Sequence, residues 1–344
     1  VDIGLLRLAA QHVAGPGLPT PVDAVRHLLA AQGQDPRGVV RSIALRTVAQ
    51  DGAAVLDAYA SGAVVRSWPM RGTLHTVVAE DLGWMLRLMT SRPRAAAARR
   101  RPDLGLTEDD VTAAHGVVEA AVADGGATRA QVLAALEAAG QPTSGGRGYH
   151  LLVELAQRGV VCLGPYLDGD QLFVLVDEHV GAGRDLDGEA ALAELALRYL
   201  RGHGPATVAD LARWAGLPLG QVRTGLAAVQ DRLGSAVVDG TEHWFDPGTP
   251  SRLVEHEAHA RSVHLLPGFD EMVLGYADRT ATVPAEHAER VVPGGNGVFR
   301  GTVLHDGVAI GTWVRERTSV VVEPFAPLDP TVQAEVATAV AALP

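Results

Sequence analysis

"PATVADLARWAGLPLGQVRTGLAAVQ", running from Pro205 to Gln230, is the stretch on which the reading of the fold turns. Thr207 is placed to cap a helix whose apolar positions are Val208, Leu211, Ala212 and Ala215. Gly216 stops it. A second helix begins near Pro218 and sets Val222, Leu226 and Val229 on one face. Helix, short glycine turn, helix is the helix-turn-helix pattern. The following "SAVVDGTEHWF" reads as strand, Asp239-Gly240 turn, strand, a hairpin in the place of a wing.

The same plan is legible twice more. "ATRAQVLAALEAAG" starts a helix near Thr128 and closes it at Gly140, "GGRGYHLLVELAQRG" gives a second helix ending at Gly159, and "VVCLGPYLDGDQLFVLV" folds back around Asp168 to Asp170. Near the start, one helix covers about Pro21 to Ala31. Asp35 caps the next with Pro36 in its first turn, and a short helix follows over Ala53 to Ala60. "AVVRSWPMRGTLHTVV" then forms a hairpin with its tip at Met70 to Gly72. The linkers are the arginine-rich Ser91 to Asp103 and the glycine-rich Gly181 to Gly188. Past Arg252 the pattern changes: "GVFRGTVLHDGVAIGTWV" makes two strands, "TSVVVEPF" a third, and a closing helix is capped by Asp329. The expected fold is α+β: a tandem array of three winged helix-turn-helix units over 1–90, 104–180 and 188–250, with a β-rich domain over 252–344.

Composition bounds the function. The 344 residues are 47% hydrophobic and 20% charged, a globular balance. A net charge of −11 excludes a protein coated in basic charge and leaves room for a local basic groove. All 29 basic residues are arginine, so no lysine amine is present to form a Schiff base and every fixed side-chain cation is a guanidinium suited to phosphate. The lone Cys162 excludes an internal disulfide and suits a reducing cytoplasm. No apolar run has the length of a bilayer span and no signal peptide is evident, so no membrane partner is expected. His264, Asp270, Glu271 and Asp278 invite a metal reading, but their spacing matches no ligand motif, and neither a metal nor a cofactor is expected.

"LLAAQGQDPRGVV", Leu28 to Val40, places two glutamines around a glycine at a helix joint. Gly33 suits the left-handed position after a helix. In a turn, residues two apart are able to point the same way, so Gln32 and Gln34 are expected to converge on one point. An amide is no general base at neutral pH, but it accepts a hydrogen bond from water and donates one to an oxygen. That suffices when the bond to be broken is already weak. An N-glycosidic bond to an alkylated, cationic purine is such a bond, because the base departs neutral without needing a proton.

Together, the tandem winged helices, "QGQD" at Gln32 to Asp35, "MRGTLH" at Met70 to His75 and "LLPGFDEMVLGYADR" at Leu265 to Arg279 resemble the AlkZ-like winged-helix DNA glycosylases over nearly the whole chain. The resemblance implies a concave basic surface for duplex DNA and removal of N7-alkylated guanines supported by a Gln-x-Gln motif. Members of antibiotic gene clusters unhook interstrand crosslinks as self-resistance. By motif match, Gln32 and Gln34 take the catalytic role. Gly33 departs from the family's aliphatic middle residue.

Candidate DNA contacts are Arg37 and Arg41 after the turn, Arg71 at a hairpin tip with His75 nearby, and the run Arg92, Arg94, Arg99, Arg100 and Arg101. Arg46 is a further candidate on the second helix. The aromatic share of 4% leaves few stacking partners for a flipped base and points to approach through the groove. The expected partner is double-stranded DNA containing alkylated purines, met by a monomer. The rival reading is a winged-helix transcriptional regulator or architectural DNA binder without chemistry. Against it stand the three unlike units in one chain and the scarcity of base-reading side chains beyond Arg223.

Overall fold

The computed structural model describes residues 2–317 and 319–343. Its packing divides the chain into two compact units. The first joins Val1–Gly52 to Leu192–Pro344, and the second is Ala53–Ala191. The segments expected from the sequence divide the chain by supersecondary element instead, and the packing boundaries fall at other points.

In the second unit, antiparallel strands lie in the order Thr73–Val78, Val64–Met70, Val161–Leu167, Asp170–Leu175. The helices Glu108–Val122, Arg129–Ala138 and Arg147–Gln157 bury Val111, Val118, Val132, Leu136, Leu151 and Leu155 in a core shared with Trp68, Leu163 and Phe173. Thr128 caps the Arg129–Ala138 helix, and the Gln131 carboxamide returns to the Thr128 N–H, a reciprocal pair that satisfies two end donors. The stretch expected to be a linker after Ser91 is the helix Ser91–Ala98. Its alanines favour helix intrinsically and Arg94 is held by Glu154 at 2.9 Å, so the segment is helical although it buries no residue.

The first unit begins with the helix Ile3–Ala10, whose Leu5 and Leu8 share a core with Leu266, Met272, Val283 and Leu304 from the far end of the chain. The helices Val208–Ala215 and Leu219–Ala227 meet at Gly216, which takes φ 70° as a left-handed stop. Their hairpin is Gly234–Val238 with Thr241–Phe245. A sheet in the order Ser319–Pro324, Val308–Glu316, Gly301–His305, His264–Leu266 follows, all antiparallel. The Pro330–Ala341 helix, capped by Asp329, brings Val332, Val336 and Val340 against Leu265, Val303 and Trp313. Thr318, the first residue of the expected third strand, lies outside the described residues.

Hairpins in both units turn on a residue–glycine pair with positive φ: Arg71-Gly72, Asp168-Gly169, Asp239-Gly240 and Asp306-Gly307. That is the geometry matching the twist of paired strands, and it explains why Asp-Gly marked three of them in the sequence. Among the described residues no helix is long and apolar enough to cross a membrane.

Candidate active site

The glutamine turn lies in the first unit. The helix before it ends at Leu28, three residues earlier than expected. Leu29, not Gly33, takes the positive φ, at 67°, and its N–H bonds the Arg26 carbonyl. A bulky residue rarely adopts this conformation, and here its side chain is fully buried, so packing holds it. Ala31 and Gln32 are then extended, and the next helix, Pro36–Ala44, begins under the Asp35 cap, whose carboxylate accepts from the Arg37 N–H at 3.0 Å. The two amides differ in access: Gln32 is 6% exposed, whereas Gln34 is open to solvent. Of the two residues expected from the sequence to converge on one point, one is buried and the other exposed.

Beneath the turn sits the "FDEM" stretch. Glu271, fully buried, accepts from the Gln32 backbone N–H at 2.9 Å through one oxygen and from the Trp214 indole at 2.9 Å through the other, with His203 Nε2 3.4 Å away. Asp270 grips the helix on the far side of the turn. Its carboxylate accepts from Ser42 Oγ at 2.6 Å and from both terminal nitrogens of Arg46, at 2.8 and 3.0 Å. Burial pushes the Asp270 carboxyl up. The Arg46 charge, with hydrogen bonds from Arg46, Ser42 and the Met272 N–H, more than offsets this and holds it below the usual carboxylate range. Arg46 is itself fully buried, so the sequence-based expectation that it meets a phosphate is corrected: its charge is spent inside the protein. Tyr276 and Ala277 extend the network. The tyrosine hydroxyl donates to the His203 carbonyl, and the Ala277 N–H bonds Asp210, the N3 residue of the Val208–Ala215 helix.

Arg37 and Arg41 face a cleft of about 770 Å³ walled by Phe269, Phe299 and Trp313 and edged by Arg315 and Arg317. The Arg41 guanidinium lies 5.5 Å from the Trp313 ring centroid. Burial, then the charge of Arg315, lowers its pKa to about 10, so it remains cationic at neutral pH. The Trp313 face beside the guanidinium favours the cation that burial and the neighbouring like charge oppose.

The model of the family described as "DNA glycosylase AlkZ-like" matches residues 25–344. The chain belongs to the AlkZ-like DNA glycosylase family. A protein of Streptomyces sahachiroi named interstrand DNA cross-link repair glycosylase is 28% identical, the match covering 89% of this chain and 85% of that one. The solved structure of Streptomyces sahachiroi DNA glycosylase AlkZ is similar to this fold, with a TM-score of 0.81 over 98% of this chain and 94% of the other at 24% identity. The protein is therefore a DNA glycosylase, and the regulator without chemistry gives way to an enzyme.

Within the glycosylase's second unit, Arg71 stands at its hairpin tip, and the position of a side chain on Gly72 would lie 4.0 Å from Pro93, which brings the tip and the arginine helix together. His75 is fully buried. Its Nδ1 meets the Thr73 carbonyl and its Nε2 meets Arg71 at 2.9 Å. The expected direct contact of His75 with DNA is corrected on this ground: a ring with no exposed surface is able to orient Arg71 but not to touch a phosphate. Of the arginine run, Arg92, Arg99 and Arg100 are exposed. Arg94 and Arg101 both pair with Glu154 at 2.9 Å, and Arg101 also with Glu108 at 2.9 Å.

The four residues of the metal reading go separate ways. His264 meets the His259 carbonyl and Asp278 accepts from Thr280, while Asp270 and Glu271 are engaged as described. What the sequence left unassigned is the part played by Asp270, Glu271, Trp214 and His203 around the turn. Adjacent acids followed by apolar residues in "GFDEMVL" are a signal of buried, partnered carboxylates, but not of which partners.

Proposed function

We propose that this glycosylase hydrolyses the N-glycosidic bond of N7-alkylated purines in duplex DNA, with Gln32 and Gln34 placing the attacking water. The observation that carries the reading is the glutamine turn itself, held by a buried carboxylate on its first residue and a capped helix after its last. Neither acid beneath it is positioned to be a base, since both are fully enclosed with their oxygens already accepting. Neutral amides match a substrate whose leaving base is already cationic: the site orients water and favours an oxocarbenium-like sugar without moving a proton to the base.

The name of the Streptomyces sahachiroi relative supports extending the substrate to bulky or interstrand-crosslinked guanine adducts. The helix pairs and hairpins described above support reading the scaffold as three winged helix-turn-helix units in tandem before a β-rich C-terminal domain; in this reading the enzyme acts as a cytoplasmic monomer. Arg37, Arg41, Arg71, Arg92, Arg99 and Arg100 are the phosphate contacts of this reading. With no lysine in the chain, water is the nucleophile and the product is an abasic site. The test is release of N7-methylguanine from duplex by the wild type, Gln32→Ala and Gln34→Ala. Each substitution is expected to slow release by about one to three decades, the effect of losing a preorganised polar group. Full activity of the double variant, or strand cleavage and a borohydride-trapped protein–DNA adduct without alkali, overturns the mechanism.

A further inference from the structure

We propose that Glu271 is a positioning residue for base excision, acting through the backbone of Gln32; this rests on the glutamine assignment above. A carboxylate 239 residues away in sequence accepts the Gln32 N–H at 2.9 Å. At this distance it is a well-formed N–H···O bond, made in a dry interior where such a bond is stronger than in water. The carboxylate is fixed in turn. Trp214 donates to its other oxygen at 2.9 Å, and His203 stands 3.4 Å from that oxygen, its ring stacked on Tyr199 with centroids 4.5 Å apart and planes 12° from parallel. Gly275 closes the enclosure: a side chain there would start 2.5 Å from the Glu271 carbonyl oxygen and 2.9 Å from the His203 ring.

Asp270, one residue earlier, holds Ser42 in the last turn of the Pro36–Ala44 helix and Arg46 just past its end. The adjacent acids thus hold the chain before and after that helix. Asp270 fixes its far end, Asp35 caps its start, and Glu271 sets where the backbone of Gln32 lies before it. A misplacement of about 1 Å in a group that orients water costs on the order of a hundredfold in rate. Glu271 has no exposed surface and both oxygens engaged, so it reaches the reaction through Gln32 and not by contact with the sugar.

The experiment compares Glu271→Ala, Glu271→Gln, Val118→Ala and Gln34→Ala. It measures single-turnover release of N7-methylguanine at saturating protein, duplex affinity by fluorescence anisotropy, and thermal stability. Glu271→Ala is expected to slow cleavage about 30-fold or more with affinity within about threefold of wild type. Glu271→Gln keeps an oxygen for the Gln32 N–H and is expected to recover part of the rate, ending about three- to tenfold below wild type. Val118→Ala removes two buried methyl groups from the core of the second unit, which holds none of Gln32, Trp214 and His203. It is expected to lose stability and keep its cleavage rate. If Glu271→Ala fails to fold, Glu271→Gln decides: a slowed rate at unchanged affinity supports the role, and a wild-type rate overturns it. Losses that track stability equally in Val118→Ala and Glu271→Gln also overturn it. Full activity of Gln34→Ala instead overturns the glutamine assignment, whereas wild-type rates at Glu271 beside a slow Gln34→Ala overturn the positioning role alone.

Discussion

Arg46 meets Asp270 at 2.8 Å and Arg94 meets Glu154 at 2.9 Å, yet the two ion pairs belong to opposite physical regimes. In the first unit both side chains are fully enclosed; in the second, Arg94 is 38% exposed. The enclosed pair has lost its water, and what replaces it is a complete set of donors: Ser42, two guanidinium nitrogens and the Met272 N–H on one carboxylate. In the outer pair only the Arg94 side is open to water, and the buried Glu154 is shared among Arg94, Arg101 and Arg158. Contact distance alone therefore says little about what a pair contributes. Desolvation makes the inner one unforgiving and specific, and the outer one adjustable.

The largest expected effect breaks the inner pair. Asp270→Asn leaves the Arg46 guanidinium buried without its counter-charge and is expected to cost about 3–5 kcal/mol, read by urea denaturation. Arg94→Gln, on the same assay, is expected to cost at most about 1 kcal/mol, because two arginines remain on Glu154. Equal losses would erase the distinction drawn between the units.

Acid is expected to find the first unit before the second. Burial, with the nearby His259 charge, lowers the His264 pKa to about 4, and burial with His12 lowers that of His27 to about 3. Both rings are neutral in the folded chain and take up a proton near the ordinary value of 6.5 once unfolded, so stability falls as pH drops below 6.5 and continues to fall until the folded values are reached. Each ring contributes a loss of about 1.4 kcal/mol per pH unit in that window. Asp270 adds to it lower down: its folded pKa is depressed, so its contribution is present above the unfolded value of 3.8 and is lost as pH falls through the folded one. Hydrogen exchange at about pH 7.5 and about pH 5, on either side of the unfolded histidine value, checks this. Amides of the first unit are expected to lose protection first, and a uniform loss across both units would contradict it.

The smallest effect concerns DNA. Glutamine at Arg99 or Arg100 is expected to reduce the salt slope of duplex binding by up to about 0.9 for each phosphate that is no longer neutralised. Glutamine at Arg94 is expected to change it by less than about half of that, since its guanidinium already serves Glu154. Equal slopes for the exposed and the paired positions would show that the ion pairs open on binding.

Much of this molecule was written in its sequence because the signals were local. Caps at Thr128, Thr207, Asp35 and Asp329, the stop at Gly216 and the three Asp-Gly hairpins each depend on a residue's own backbone preference or on a partner within a turn. The glutamine turn was visible for the same reason, as two amides between a helix end and a cap. Its conformation was less so: Leu29, rather than the glycine, carries the positive φ, because a buried side chain outweighs an intrinsic preference. The arginine linker became a helix, and Arg46 and His75 went inside, because pairing with Asp270 and Arg71 is decided by packing and not by residue type.

By itself, then, the sequence determined where many of the helices and hairpins begin and end and that no lysine is present to attack a sugar, and it offered two amides as the candidate site. Only the tertiary structure decided what the acids are for. Asp270 and Glu271 are 228 and 239 residues from the Ser42 and Gln32 they hold, and no pattern of residues along a chain encodes a partner at that distance. The physical reason is desolvation. A buried carboxylate is tolerated only where donors converge on it, and those donors are brought together when Val1–Gly52 closes against Leu192–Pro344 into one unit.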